Sequence, residues 1–328
     1  MMITDEEKAM RKYIIKRILL ALVTIFVVMT ITFFMMHAIP GTPFSTGNDT
    51  ISAETLEVLM ERYGLDQPLY KQYVRYVVNV FRGDFGVSMS NGYRSVSEII
   101  MTAFPVSADL GLRALIFGAT AGILLGIAAA MHRGKAVDHV STVVAIIGIS
   151  VPSFVLGTVF QTIFGLGVSG FVKTVFHTDF QLFPIARWES FRYTIIPSFV
   201  LGMGTVAGLA RLMRTSMLDV IDQDYVKTAK SKGILRTAII WKHEVRNALM
   251  PVVTVLGRMI GGVVTGSYII ESQFAIPGLG KYLVNSITAR DYTMTMGLTV
   301  FYSIFIVASM LLVDIMYCVI DPRVRLTK

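Results

Sequence analysis

VSADLGLRALIFGATAGILLGIAAAM, residues 106–131, is the stretch that decides the architecture. Its only charged residues, Asp109 and Arg113, lie in its first third. An apolar run of about 18 residues or more is long enough to cross a bilayer. Inside hydrocarbon every backbone N–H and C=O must find its partner within the segment or in a closed barrel. The run lacks the dyad alternation of a barrel strand, so it reads as a helix. Gly118, Gly122 and Gly126 recur every fourth residue and give that helix one small face. Small faces let helix backbones approach closely in lipid, where apolar burial no longer drives association. The same spacing recurs at Gly257 with Gly261 and at Gly262 with Gly266. The partner of such a face can be another helix of this chain or a second membrane subunit.

Five further runs flank this one: Ile18–Ala38, Val140–Leu166, Ile195–Met213, Pro251–Phe274 and Met296–Ile320. The fold class predicted is an all-α membrane protein with six transmembrane helices. Composition agrees: 54% of residues are hydrophobic and only 16% charged, against roughly 25% charged in a soluble domain. The first run follows Arg11, Lys12, Lys16 and Arg17. It exceeds the 7–15 apolar residues of a signal-peptide core and ends in a poor cleavage site, so it reads as a retained helix. The net charge is +8, but Lys and Arg gather at span ends, where they orient the chain rather than bind nucleic acid. Cys318 is the single cysteine. It permits no intramolecular disulfide, and within an apolar run it reads as a small hydrophobe.

Basic residues are dense in residues 1–17, in the loop His132–His139, in the loop 214–250 and in the tail 321–328. Arg133, Lys135, Lys227, Lys230, Lys232, Arg236, Lys242, Arg246, Arg323 and Arg325 are among them. By the positive-inside rule both termini are cytoplasmic. Residues 39–105 then lie outside, too many for a simple turn. Ser52 is placed to cap a helix carrying Leu56, Leu59 and Met60, Gly64 to end it, and Asp66-Gln67-Pro68 to begin another. The expectation is a small, mostly helical extracytoplasmic domain between the first and second spans.

Ionisable residues inside a bilayer are costly and informative. Arg258 and Asp314 are each about seven residues from the cytoplasmic end of their span, hence about 10 Å deep. They are expected to pair or to share a polar neighbour, as a structural link between helices or as a gate in the pathway. Asp109 and Arg113 have the i,i+4 spacing of a helical ion pair. Glu271 sits near the outer end of the fifth run. It and the Asp109–Arg113 pair are candidates for an outer entrance, with solvation at the outer rim and local pairing as the plainer readings.

The loop 214–250 is long for a cytoplasmic connection. Two helical pieces are separated by Gly233, where a left-handed turn can end the first. Val226, Ala229 and Tyr225 form an apolar side, and Lys227, Lys230 and Ser231 surround it. This is a short amphipathic elbow suited to docking in a partner's groove; a basic helix lying on anionic headgroups fits the pattern equally.

Asp224-Tyr225-Val226-Lys227-Thr228-Ala229-Lys230-Ser231-Lys232-Gly233 resembles the cytoplasmic coupling loop of ABC importer permeases, whose core is Glu-Ala-Ala-x-x-x-Gly. Lys227 and Thr228 depart from that core, while Ala229 and Gly233 keep their places. More narrowly, it is similar to the dipeptide/oligopeptide and nickel permease family, B-type subunit. So are Gly64-Leu65-Asp66-Gln67-Pro68-Leu69, Gly83-Asp84-Phe85-Gly86, Ser150-Val151-Pro152-Ser153-Phe154, Ala210-Arg211-Leu212-Met213-Arg214, Arg246-Asn247-Ala248-Leu249-Met250-Pro251, Pro277-Gly278-Leu279-Gly280 and Asp321-Pro322-Arg323. The residues before Lys16 match least.

The resemblance implies a heterodimer with a paralogous permease, two cytoplasmic ATP-binding subunits that use ATP and Mg, and an extracytoplasmic substrate-binding protein. The chain itself would carry no cofactor and no catalytic residue. Tyr225, Val226, Ala229, Gly233 and Ile234 would seat the loop on the ATPase, and Lys230 and Lys232 would supply rim charge. No Gly-x-x-x-x-Gly-Lys-Ser/Thr is present to cradle nucleotide phosphates, and no two His or Cys have metal-ligand spacing. The expected function is import of dipeptides or oligopeptides by alternating access in a bacterial cell membrane. Nickel or another small solute is the neighbouring alternative. An ion-coupled secondary transporter would favour inverted repeats with broken helices, and no repeat is visible.

Overall fold

The computed structural model describes residues 5–40, 43–44, 52–90, 92, 94–178, 181–264 and 266–320; side chains are described between 14 and 313 except 263 and 264. The elements in chain order are α1 (Asp5–Ala38), α2 (Ala53–Tyr63), α3 (Leu69–Phe81), α4 (Val96–Met131), α5 (Ala136–Ser150), α6 (Ser153–Phe160), α7 (Ser169–Phe176), α8 (Phe191–Ile221), α9 (Asp224–Ser231), α10 (Arg236–Ile239), α11 (Arg246–Val264), α12 (Tyr268–Gln273), α13 (Gly280–Thr288) and α14 (Tyr292–Ile320). Wide π-helical turns, Gln161–Val168 and Ile240–Val245, join α6 to α7 and α10 to α11. Among the described residues the only extended pairing is an isolated bridge between Val87 and Ser95.

Among the described residues five helical stretches are long and apolar enough to cross a membrane: Ile14–Ala38, Val96–Met131, Ser153–Phe176, Phe191–Ile221 and Tyr292–Val313. Two runs expected to be single spans are interrupted. The run Val140–Leu166 breaks at Val151-Pro152. Proline lacks an N–H and pushes the preceding residue out of the helical region, and Val151 is accordingly extended at φ −87°, ψ 123°. The run Pro251–Phe274 breaks after Val264, with Gly266 at φ +84°. Ser267 then caps α12 by accepting from the Ile270 N–H at 3.5 Å. Unbroken apolar composition conceals both interruptions.

The chain divides into two compact units, Met1–Val106 with Gly278–Lys328, and Ser107–Pro277. In the first, α1 packs along α14. Phe33, Met36, Tyr292 and Met296 form one core cluster, with Tyr73 and Tyr76 of α3 against it. Phe33 meets Tyr73 edge-on at 5.2 Å between ring centroids, a favoured aromatic geometry. His37 Nε2 lies 3.0 Å from Gln72 Oε1, and Thr30 Oγ1 is 2.7 Å from Tyr73 Oη. A second cluster joins Val96, Ile99, Ile100 and Ala103 to Leu279, Met294 and Leu298. The expected cap at Ser52 is present, its hydroxyl accepting from the Thr55 N–H at 3.3 Å. Gly64 ends α2 in a left-handed turn at φ +68°.

In the second unit α8 is the central helix, and α5, α6 and α11 pack on it. The small face of α4 also lies there. A side-chain carbon at Gly122 would come within 2.9 Å of the Val206 carbonyl, and one at Gly126 within 2.7 Å of the Ala210 carbonyl. The glycine stripe therefore serves packing within this chain. Ile127, Leu209, Met213, Met217, Val245 and Val252 belong to one buried cluster beneath it.

Candidate functional site

The elbow at 214–250 is built from α8, α9, α10 and the turn into α11. Gln223 is extended at φ −73°, ψ 147°, and α9 begins at Asp224. At the other end the Gly233 N–H reaches the Lys230 carbonyl at 3.0 Å and the Ile234 N–H reaches Ala229 at 3.4 Å. That pair of bonds is a Schellman closure, and it requires the left-handed residue; Gly233 supplies it at φ +70°. The sequence expectation at Gly233 and the observed turn coincide.

Val226 is fully buried and Ala229 is 5% exposed. Both pack with Ile239 and against Val220 of the same chain. Burying one such aliphatic side chain contributes about 1.5–3 kcal/mol. The apolar side of α9 thus clamps the elbow shut rather than presenting itself, which corrects the expectation that Val226 and Ala229 contact a partner directly. Tyr225 and Ile234 are partly exposed, Lys230 and Lys232 are exposed, and Leu235 is 77% exposed. Leu235 was passed over in the sequence because it follows the turn and belongs to no periodic face. Lys227 Nζ lies 3.0 Å from Asp224 Oδ1, an exposed pair of small energetic weight.

One ion pair near the elbow was not legible in the sequence. Arg214 grips Asp138 bidentately through one guanidinium edge, Nε to Oδ1 at 2.6 Å and Nη2 to Oδ2 at 2.8 Å. The Gly134 N–H donates to Asp138 Oδ2 at 2.9 Å. Asp138 is buried and lies outside the five long apolar stretches. The hydrogen bonds from Arg214, then that from Gly134, hold its carboxyl well below the usual carboxylate range. Arg214→Ala is expected to cost about 2–4 kcal/mol at neutral pH, because it strands a buried carboxylate. Lys at 214 should restore only part, lacking the two-pronged geometry. A depressed carboxyl stabilises the fold above its unfolded pKa and ceases to do so as pH falls toward the folded one. The melting difference between wild type and Arg214→Ala should therefore shrink below about pH 4.

Asp109 and Arg113 form the expected i,i+4 pair, Nε to Oδ1 at 2.8 Å. Glu271 departs from the expected outer rim: it is 0% exposed and accepts from Ser107 Oγ at 2.7 Å. Gly266 lies against this carboxylate, where a side-chain carbon would collide with Glu271 and Ser107. Arg258 is exposed on α11. The Asp314 side chain lies outside the described residues, and so does the proposed Arg258–Asp314 pairing. Among the described residues no group of three or more His, Cys, Asp or Glu is arranged to hold a metal.

Asp291, also not anticipated, is 0% exposed. Its Oδ2 accepts from Ser88 Oγ at 2.6 Å, Met89 N at 2.8 Å, Ser90 N at 3.0 Å and Ser90 Oγ at 2.9 Å. Its Oδ1 accepts from Met294 N at 2.9 Å, capping α14. An Asp just before an apolar helix is a readable cap signal, but its four other donors are not.

Two family models match, and together they span most of the chain. Residues 10–111 match the N-terminal membrane component of binding-protein-dependent transport systems, and residues 122–326 match the inner membrane component of those systems. The chain is 41% identical to the dipeptide transport system permease protein DppB of Bacillus subtilis, over 97% of this chain and 99% of that one. It is 39% identical to DppB of Lactococcus lactis subsp. cremoris, over 97% of this chain and 100% of that one. It is 37% identical to the oligopeptide transport system permease protein OppB of Haemophilus influenzae, over 96% of this chain and 100% of that one. With both models matched in order and relatives this similar over their full length, the chain belongs to the binding-protein-dependent transport system inner membrane component family.

Proposed function

We propose that this chain is a membrane-spanning subunit of an ATP-driven importer of dipeptides or oligopeptides. The observation that carries the reading is the full-length similarity, at 37–41% identity, to relatives named for dipeptide and oligopeptide transport. Six crossings are assigned. The first is residues 18–38, the second lies in α4, and the third is shared by α5 and α6 across Pro152. The fourth lies in α8, the fifth in α11 and the sixth in α14. Nineteen residues of α11 span about 28 Å, close to the roughly 30 Å of a hydrocarbon core. Lys and Arg distribution supports cytoplasmic segments at 1–17, 214–250 and 321–328 and an extracytoplasmic domain at 39–105.

The elbow is the coupling element. It is stiff because a Schellman turn closes α9 and Val226, Ala229 and Ile239 lock it to its own chain. Tyr225, Ile234, Leu235, Lys230 and Lys232 are left to meet a cytoplasmic ATPase. A stiff projection can transmit rigid-body movement of such a motor to the helices. In this scheme two ATP-binding subunits hold and hydrolyse ATP with Mg, a paralogous permease completes the passage, and an external binding protein delivers peptide.

The test is uptake by proteoliposomes containing the whole complex with its binding protein. Labelled dipeptide should accumulate only with internal ATP, and unlabelled di- or oligopeptides should compete. Competition by nickel with no effect of peptides would replace this reading with the small-solute one.

A further inference from the structure

Beside the elbow lies a cavity of about 490 Å³ whose charged lining is Arg133, Lys230, Arg236, Asp222 and Glu244. Glu244 is only 5% exposed. It sits on the π-helical turn Ile240–Val245, between residues of the buried apolar cluster. Such turns recur at functional sites because they push a side chain out of regular register. No ion pair or hydrogen bond satisfies the Glu244 carboxylate among the described residues. The carboxylate lines the cavity without a fixed partner, so a cationic group entering there gains a charge-assisted acceptor.

The rim narrows the choice. Arg133, Lys230 and Arg236 are exposed at the same cavity. They oppose entry of a bare metal ion, whose charge Asp222 and Glu244 alone do not outweigh against three cations. They favour a ligand whose leading cation is followed closely by an anion. The remaining walls are apolar, with Met131 from the last turn of α4 and Leu218 and Ile221 from the last turn of α8. The ends of apolar helices are where lipid headgroups lie. We propose that this cavity holds the headgroup of a primary-amine phospholipid. Glu244 accepts hydrogen bonds from the ammonium, Arg133 and Arg236 hold the phosphate, and the acyl chains leave along Met131 and Leu218. A protein cation, such as an arginine of the ATPase, is the competing occupant.

The experiment is lipid titration of the delipidated complex by native mass spectrometry, with matched acyl chains. The probes are phosphatidylethanolamine, its mono- and dimethyl forms, phosphatidylcholine and phosphatidylglycerol. Full methylation removes every ammonium donor, so affinity should fall about tenfold from phosphatidylethanolamine to phosphatidylcholine. E244Q should flatten the series, and Arg133→Ala with Arg236→Ala should weaken phosphatidylethanolamine and phosphatidylglycerol together. Equal affinities across the series in the wild type would overturn the proposal, with no dependence on any variant folding. So would an unchanged preference in E244Q, or a wild-type cavity that takes no lipid until the ATPase is removed. Binding is read directly, so the outcome is separate from whether peptide is the transported solute.

Discussion

Asp291→Ala should destabilise the protein by about 3–6 kcal/mol, the largest loss expected of any single substitution described above. The carboxylate accepts from Ser88, Met89, Ser90 and Met294 with no solvent around it. Removing it leaves several buried donors without an acceptor, each at about 1–3 kcal/mol before relaxation. Among the described residues of 83–95 the one extended pairing is the isolated bridge between Val87 and Ser95, so the amides of 83–90 should exchange faster than those of α14. Asp291→Asn keeps one acceptor oxygen but turns a donor toward other donors, and should fall between. Melting of the purified complex with hydrogen exchange over 83–90 checks this. A melting point within about 1 °C of wild type, with exchange unchanged, would refute it.

The second large effect is on transport. Gly233 has φ +70°, and a side-chain carbon built there meets nothing within 4 Å. A substitution therefore acts through the backbone alone. Left-handed geometry costs an ordinary residue roughly 1–2 kcal/mol, and β-branched residues are least suited to it. Gly233→Val should open the Schellman turn, loosen α9 and reduce ATP-driven dipeptide uptake about tenfold or more. The amount of chain in the membrane should hardly change, since no core contact is lost. Gly233→Asn, which tolerates this conformation, should keep most activity. Uptake per complex in proteoliposomes, read beside ATP hydrolysis, separates uncoupling from loss of protein.

What the sequence made legible was local. Apolar runs located the helices, Ser52 and Gly64 bounded α2, and Gly233 marked the elbow, because caps and left-handed turns depend on neighbouring residues. The i,i+4 pair of Asp109 and Arg113 was readable for the same reason. Long-range pairings were not: Asp138 and Arg214 are 76 residues apart, and Asp291 and Ser88 are 203 apart. The breaks at Pro152 and Gly266 were hidden because hydropathy does not register a backbone turn. Periodicity located the apolar side of α9 but could not say what it faces. Val226 and Ala229 consequently changed role, from contact surface to internal clamp, and Glu271 moved from rim to interior.

The elbow's seating on an ATPase is tested most directly by single-cysteine cross-linking in the assembled transporter, with and without nucleotide. Leu235→Cys and Tyr225→Cys should join covalently to the ATP-binding subunit, while Val226→Cys stays shielded from thiol reagents. If cysteines at 225 and 235 reach no other polypeptide in any nucleotide state, the elbow is not the coupling element.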